Sequence, residues 1–249
     1  MGDQKPEYEA IFDTEAGKAV LKRVVDHYTD VFLPCEKKDR AYYRGLTTEE
    51  AARSAGLPLR HDGQRHGHAE NWVAGPEHEE NKNERRTRRE ASLAAFADEL
   101  VQRVGKLRKG MAFPDIHAVA EEAAEAVRKH RPDGRPLFKP TDLLRYDAAL
   151  LLAWHLGVEP EEVWLHSGTD LGVRKLGIST AGRKILTLAE LPKPFQELTA
   201  WQAEDILCIY KAVFAKLVRG DKPVDDADFG KIKATRQKMS CGHRHCAAC

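Results

Sequence analysis

The sequence predicts an all-α fold. Apolar residues recur at helical spacing in several separate stretches, no run alternates cleanly for six residues, and Thr-x-x-Glu or Thr-x-x-Gln signatures stand ahead of several of the periodic segments. The architecture expected is a multi-helix orthogonal bundle with a polar loop and a Cys/His-rich C-terminal tail. At 249 residues and 42% hydrophobic, the chain can bury a sizeable core.

Asp13 is placed to cap a first helix, in which Val20, Leu21, Val24, Val25, Tyr28, Val31 and Phe32 form one stripe that runs to Pro34. "TTEE", Thr47 to Glu50, reads as a capping box, and Gly56 as the stop of a short helix. From Pro58 to about Glu84 the periodicity vanishes in a polar, histidine-rich stretch. Its His61, His66 and His68, with Asp62 nearby, fit no single helix face and are expected in a solvated loop. The clearest helix follows, with Leu93, Phe96, Ala97, Leu100, Val101, Val104 and Leu107 inward and Gly110 at its end.

Pro114 suits the first turn of a helix carrying Ile116, Val119, Ala120, Ala123 and Val127. "RPDGRPLFKP" then breaks the chain, and Thr141 caps "DLLRYDAALLLAWHLG", which is apolar on nearly every side and should be the most buried helix. Thr187 with Glu190 and Thr199 with Gln202 are further capping boxes; the second opens a helix with Trp201, Ile206, Tyr210, Val213, Phe214 and Leu217 inward. This divides the chain into an N-terminal helical region (1–57), a His-rich linker (58–84), a main helical domain (85–220) and a C-terminal extension (221–249).

Forty Lys and Arg against 39 Asp and Glu leave no global field to attract a polyanion, so any nucleic-acid surface must come from local clustering. The acids and proline of "MGDQKPEYEAIF" do not make a signal peptide, and "AALLLAWHLGV" is too short to span a bilayer, which predicts a soluble, cytoplasmic protein. Walker, G-x-G-x-x-G, G-x-S-x-G and H-E-x-x-H motifs are missing, which removes the common nucleotide, Rossmann and hydrolase chemistries.

The order from Leu137 to Gly177 is a proline- and glycine-bearing hairpin, a buried helix, the connector "EPEEVWL" and an Asp-bearing turn leading into "DLGVRKLG". This order resembles the helix-hairpin-helix DNA glycosylase superfamily over about residues 131–177. The resemblance implies DNA as partner and a helix-hairpin-helix-like scaffold. It places Gly134 and Lys139 at a hairpin whose amides bind a DNA phosphate, and makes Asp170 the carboxylate that assists base release in DNA repair. The hairpin departs from the family's pattern, with one glycine where two close ones belong. A cap for the helix "LGVRKLG", supplied by Thr169 or Asp170, is the alternative role.

Arg85, Arg86, Arg88 and Arg89 crowd the start of the clearest helix, where cations oppose the macrodipole and call for an anionic partner, or for pairing with Glu84 and Glu90. Lys106, Arg108 and Lys109 close the same segment.

Of five cysteines, Cys35 and Cys208 are isolated, and an odd count argues against a disulfide framework. In the terminal "CGHRHCAAC", Cys246 and Cys249 have the C-x2-C spacing of a zinc pair, which Cys241, His243 or His245 could complete. Two functional classes follow: a helical DNA-binding protein related to base-excision enzymes, or a non-catalytic interaction protein with a Zn(II)-binding tail. Metal analysis of the untagged protein is expected to find one zinc per chain, retained less as pH falls because only thiolate ligates; a metal-free preparation would remove this site.

Overall fold

The computed structural model describes residues 14–65, 73–74, 82–130, 132, 134–219 and 223–232. The described chain is helical, with two short antiparallel strand pairs. Nine α-helices are labelled here: α1 Glu15–Val31, α2 Leu33–Gly45, α3 Thr48–Gly56, α4 Lys82–Val101, α5 Phe113–Val127, α6 Asp142–Leu156, α7 Ser167–Lys175, α8 Ala200–Ile209 and α9 Lys211–Arg219. Strand β1 (Val73–Ala74) pairs with β2 (Lys139–Pro140), and β3 (Val163–Trp164) with β4 (Ile185–Leu186). No described helix is long and apolar enough to cross a membrane.

Local sequence accounts for most helix starts. The α3 capping box is complete, with Thr47 N–H donating to Glu50 Oε2 at 2.8 Å and Glu50 N–H to Thr47 Oγ1 at 3.3 Å. Thr141 Oγ1 accepts from Leu144 N–H at the head of α6, and Gly157, at φ 75°, closes that helix in the left-handed conformation. Ala148 to Trp154 are all buried, as an all-round apolar helix requires.

Four boundaries differ from expectation. Thr14 caps α1, its hydroxyl accepting from Gly17 N–H at 3.0 Å, while Asp13 lies outside the described residues. Pro34 does not end a helix but sits in the first turn of α2, where a missing N–H costs nothing. Helix α4 stops at Val101 rather than Gly110: Val104–Lys106 is a 3-10 turn, and the extended backbone at Leu107 drops that side chain into the core. The single helix expected from Trp201 to Leu217 is α8 plus α9, broken at buried Tyr210, whose hydroxyl meets His27 Nδ1 at 2.6 Å.

The chain forms two compact units. Among the described residues, one comprises 14–36 with 161–232 and the other 37–160. This division cuts across the segments read from the sequence, because the first helix shares a core with the C-terminal third of the chain. That core includes Leu21, Val24, Val173, Phe195, Leu207 and Phe214.

Each unit contains one helix pair in near-backbone contact. In the first, a Cβ added to Gly172 of α7 would lie 1.9 Å from the Leu207 carbonyl oxygen of α8. In the second, one added to Gly56 of α3 would lie 2.4 Å from Ala97 Cα of α4. Gly56 is therefore the last residue of its helix and a packing position, with Leu57 as the C-cap. Gly172→Ala and Gly56→Ala should each lose on the order of 1–3 kcal/mol in chemical denaturation, since backbone atoms cannot step aside. Gly105→Ala, which meets nothing within 4 Å, should stay within about 0.5 kcal/mol of the parent.

Candidate functional site

The four arginines at the start of α4 divide by role. Arg88 Nη2 donates to the Pro136 carbonyl at 2.5 Å, and its guanidinium carbon stands 4.7 Å from the Phe138 ring centroid. Ser92, one turn on, accepts from Phe138 N–H at 2.9 Å and donates to the Arg88 carbonyl at 2.7 Å. The segment from Gly134 to Phe138 is thereby fixed against α4. Gly134 has φ 78°, is exposed and has open space where a Cβ would go. Thus Arg88 joins the start of α4 to the chain that follows Gly134, within one unit.

The remaining arginines are not neutralised in the way the sequence suggests. Arg65 takes Glu90, with Nη1 to Oε1 at 2.8 Å, and this hydrogen bond holds the Glu90 carboxyl below its usual range. Among the described residues Arg85, Arg86 and Arg89 make no ion pair, and Nε of both Arg85 and Arg89 is buried with no hydrogen-bond partner. Lys139 is different. It pairs with Glu125, whose carboxyl it holds below the usual range, and its backbone sits in β2 opposite Ala74. Its charge is therefore already matched.

A second cationic feature lies beyond the C-terminal end of α4. A cavity of about 680 Å³ is lined by Lys106, Arg108, Lys109, Gly110, Met111 and Asp115. Lys106 is held by Glu122, which leaves Arg108 and Lys109 as its solvent-facing cations.

Asp170 sits inside the first turn of α7, in an ion pair with Arg174 Nη2 at 2.5 Å. The cap expected from Thr169 or Asp170 is instead His166: the helix begins earlier, at Ser167, and Gly168 N–H donates to His166 Nδ1 at 3.2 Å. An amide can only donate, so Nδ1 is the bare nitrogen and the ring proton is on Nε2. That Nε2–H donates to Glu204 Oε1, and the Thr169 hydroxyl donates to the same oxygen at 2.6 Å. His166, Thr169 and Glu204 are 4%, 0% and 3% exposed. Sequence reasoning missed this cluster; "HSGT" ahead of a glycine-bearing helix was its local signal, but nothing local indicates the carboxylate 38 positions away.

Two further polar groups are buried. Tyr28 is flanked by Glu36 Oε2 at 2.5 Å and Asp205 Oδ2 at 3.0 Å, and burial, reinforced by both carboxylates, pushes its phenol well above the usual tyrosine value. In the other unit His61 is docked rather than solvated, its backbone N–H 2.9 Å and Nδ1 2.5 Å from Oδ1 of buried Asp39. His66 and His68 lie outside the described residues, as do Cys241, His243, His245, Cys246 and Cys249. Cys35 is buried and disulfide-bonded, against the expectation from the cysteine count. No group of three potential metal ligands occurs among the described residues.

The segment resembling helix-hairpin-helix glycosylases is divided, with Gly134 in one compact unit and Asp170 in the other. No family model matches the chain, and no similar protein is found among curated proteins or solved structures.

Asp170→Asn should cost under about 1 kcal/mol, the worth of an exposed i,i+4 pair. Glu204→Leu should cost on the order of 3 kcal/mol, because two buried donors lose their acceptor. Comparable losses in thermal or denaturant unfolding would contradict this ranking.

Proposed function

We propose that the chain is a helical DNA-binding protein that grips the phosphate backbone with the arginine face of α4 and the adjoining Gly134 turn. The observation that carries this reading is the pairing of a clamped turn with uncompensated arginines. Arg88 fixes the turn, while among the described residues Arg85 and Arg89 make no ion pair and bury Nε without an acceptor, and Arg86 lies near only Glu90, which Arg65 already holds. Guanidinium groups gathered at a helix N-terminus oppose the macrodipole, and a phosphate would relieve both that repulsion and the missing acceptors. The resemblance of residues 131–177 to a DNA-binding hairpin adds the choice of nucleic acid among polyanions.

The reading is of binding rather than base excision. The Asp170 carboxylate is occupied by Arg174, so base release would first require breaking that pair.

Fluorescence anisotropy with duplex DNA across a salt series tests the proposal. Phosphate contacts release counterions, so binding should weaken as salt rises, and Arg85→Gln, Arg86→Gln and Arg89→Gln together should reduce the log–log slope by about 2–3. Arg88 is left intact in that variant because it holds the turn. A slope unchanged by the triple substitution would place the contact surface elsewhere, and absence of binding at low salt would end the DNA reading.

A further inference from the structure

Cys208 lies on α8 one turn beyond Glu204, so both side chains leave the same face of that helix. Opposite them is the first turn of α7. A Cβ added to Gly168 would lie 2.5 Å from Cys208 Sγ, 3.2 Å from His166 Cε1 and 3.5 Å from His166 Nδ1. The sulfur and the imidazole therefore both border the space beside the same α-carbon. Only a residue without a side chain lets them do so. Glu204 holds the Nε2 side of the ring, and the bare Nδ1 turns toward the amide of Gly168, the residue whose missing Cβ the sulfur overlies. The order is thiol, imidazole, carboxylate, at the positive end of a nine-residue helix.

We infer that Cys208 is a nucleophilic thiol paired with His166, and that it is a modification site for hydrogen peroxide. Each part of the arrangement has a chemical consequence. A proton leaving Sγ is taken up at Nδ1, and the resulting imidazolium is stabilised by the Glu204 carboxylate already bonded to Nε2–H. The Gly168 amide, released from Nδ1, is left beside the thiolate, and the α7 N-terminus favours that charge. Of the other charged groups on the packed elements, Asp170 has Arg174, Asp205 accepts from Tyr28, and Lys216 is held by Asp228, while Lys175 and Lys211 form no ion pair among the described residues. Glu204 is thus the carboxylate that sets the ring.

Cys208 is neither fully buried nor fully exposed, which admits a small oxidant. In the reaction the thiolate sulfur attacks one peroxide oxygen. The S–O bond forms as the O–O bond breaks, sulfur is oxidised by two electrons to the sulfenic acid, and the peroxide is reduced. The departing hydroxide takes the proton held at Nδ1 and leaves as water.

The test is the pH dependence of iodoacetamide alkylation at Cys208, followed by peptide mass mapping of the full reduced chain. The parent should alkylate with a midpoint below about pH 7, against about 8.5 for an unperturbed thiol. His166→Asn keeps an amide oxygen able to cap α7, and should slow alkylation at pH 6 by about tenfold or more. Gly168→Ala, which pushes the sulfur away, should do the same with the ring in place. Dimedone should trap a sulfenic acid at Cys208 after mild peroxide treatment of the parent. A parent midpoint near 8.5 overturns the inference whether or not the variants fold. A pH 6 rate unchanged in folded His166→Asn, or no dimedone adduct, overturns it as well.

Discussion

Where α7 crosses α8, Gly172 rests against the Leu207 carbonyl with no room for even one methyl group. Helical periodicity carries that contact back along both helices. Three residues before Gly172 is Thr169, and three before Leu207 is Glu204, so the pair that touches at the backbone also brings hydroxyl and carboxylate to 2.6 Å. Gly168 and Cys208 meet by the same geometry. A side chain at position 172 would push the helices apart and so strain the Thr169–Glu204 contact as well as the backbone approach.

The buried polar groups of this unit depend on such placement. A carboxylate taken out of water is tolerated when its lone pairs are met, and Glu204 receives a ring N–H and a hydroxyl. Tyr28 is less evenly served. One phenolic proton faces two carboxylates, Glu36 and Asp205, and it stays on the phenol because burial and both neighbours oppose a third negative charge. Phe32 stacks on the Tyr28 ring 5.9 Å away, and His27 lies edge-on to Tyr210, so aromatic packing restricts these polar residues on α1 to one arrangement.

In the second unit the corresponding close approach is Gly56 on Ala97, and it leaves α4 free to use its other end. Ser92 and Arg88 capture the chain after Gly134 through backbone groups, so the position of that turn depends little on its own side chains. The arginines around Arg88 are relieved of this task. Their roles differ, Arg88 being structural and Arg85, Arg86 and Arg89 making no ion pair among the described residues, because the hydrogen bonds of Glu90 go to Arg65.

What could be read from the chain is whatever lies within one turn of helix. Thr47, Thr141 and Thr199 announce helix starts because a cap and its partner are three residues apart, and the all-round apolar run of α6 announces a buried helix. The same local reading misplaced the end of α4, missed α2 and ran α8 into α9, since Leu107 and Tyr210 take their conformations from the core they enter and exposed Pro34 opens a helix rather than ending one. Asp170 stood out in the sequence, yet in the structure it is occupied by its own helix neighbour Arg174, while His166, Glu204 and Cys208 gave no local sign of belonging together. The sequence by itself determined the all-α class, most helices and the charge clusters, because propensity and capping act over three or four residues. The tertiary structure alone decided which polar groups meet, because His166 with Glu204, Asp39 with His61 and Arg88 with Pro136 are joined by how helices pack and not by their spacing along the chain.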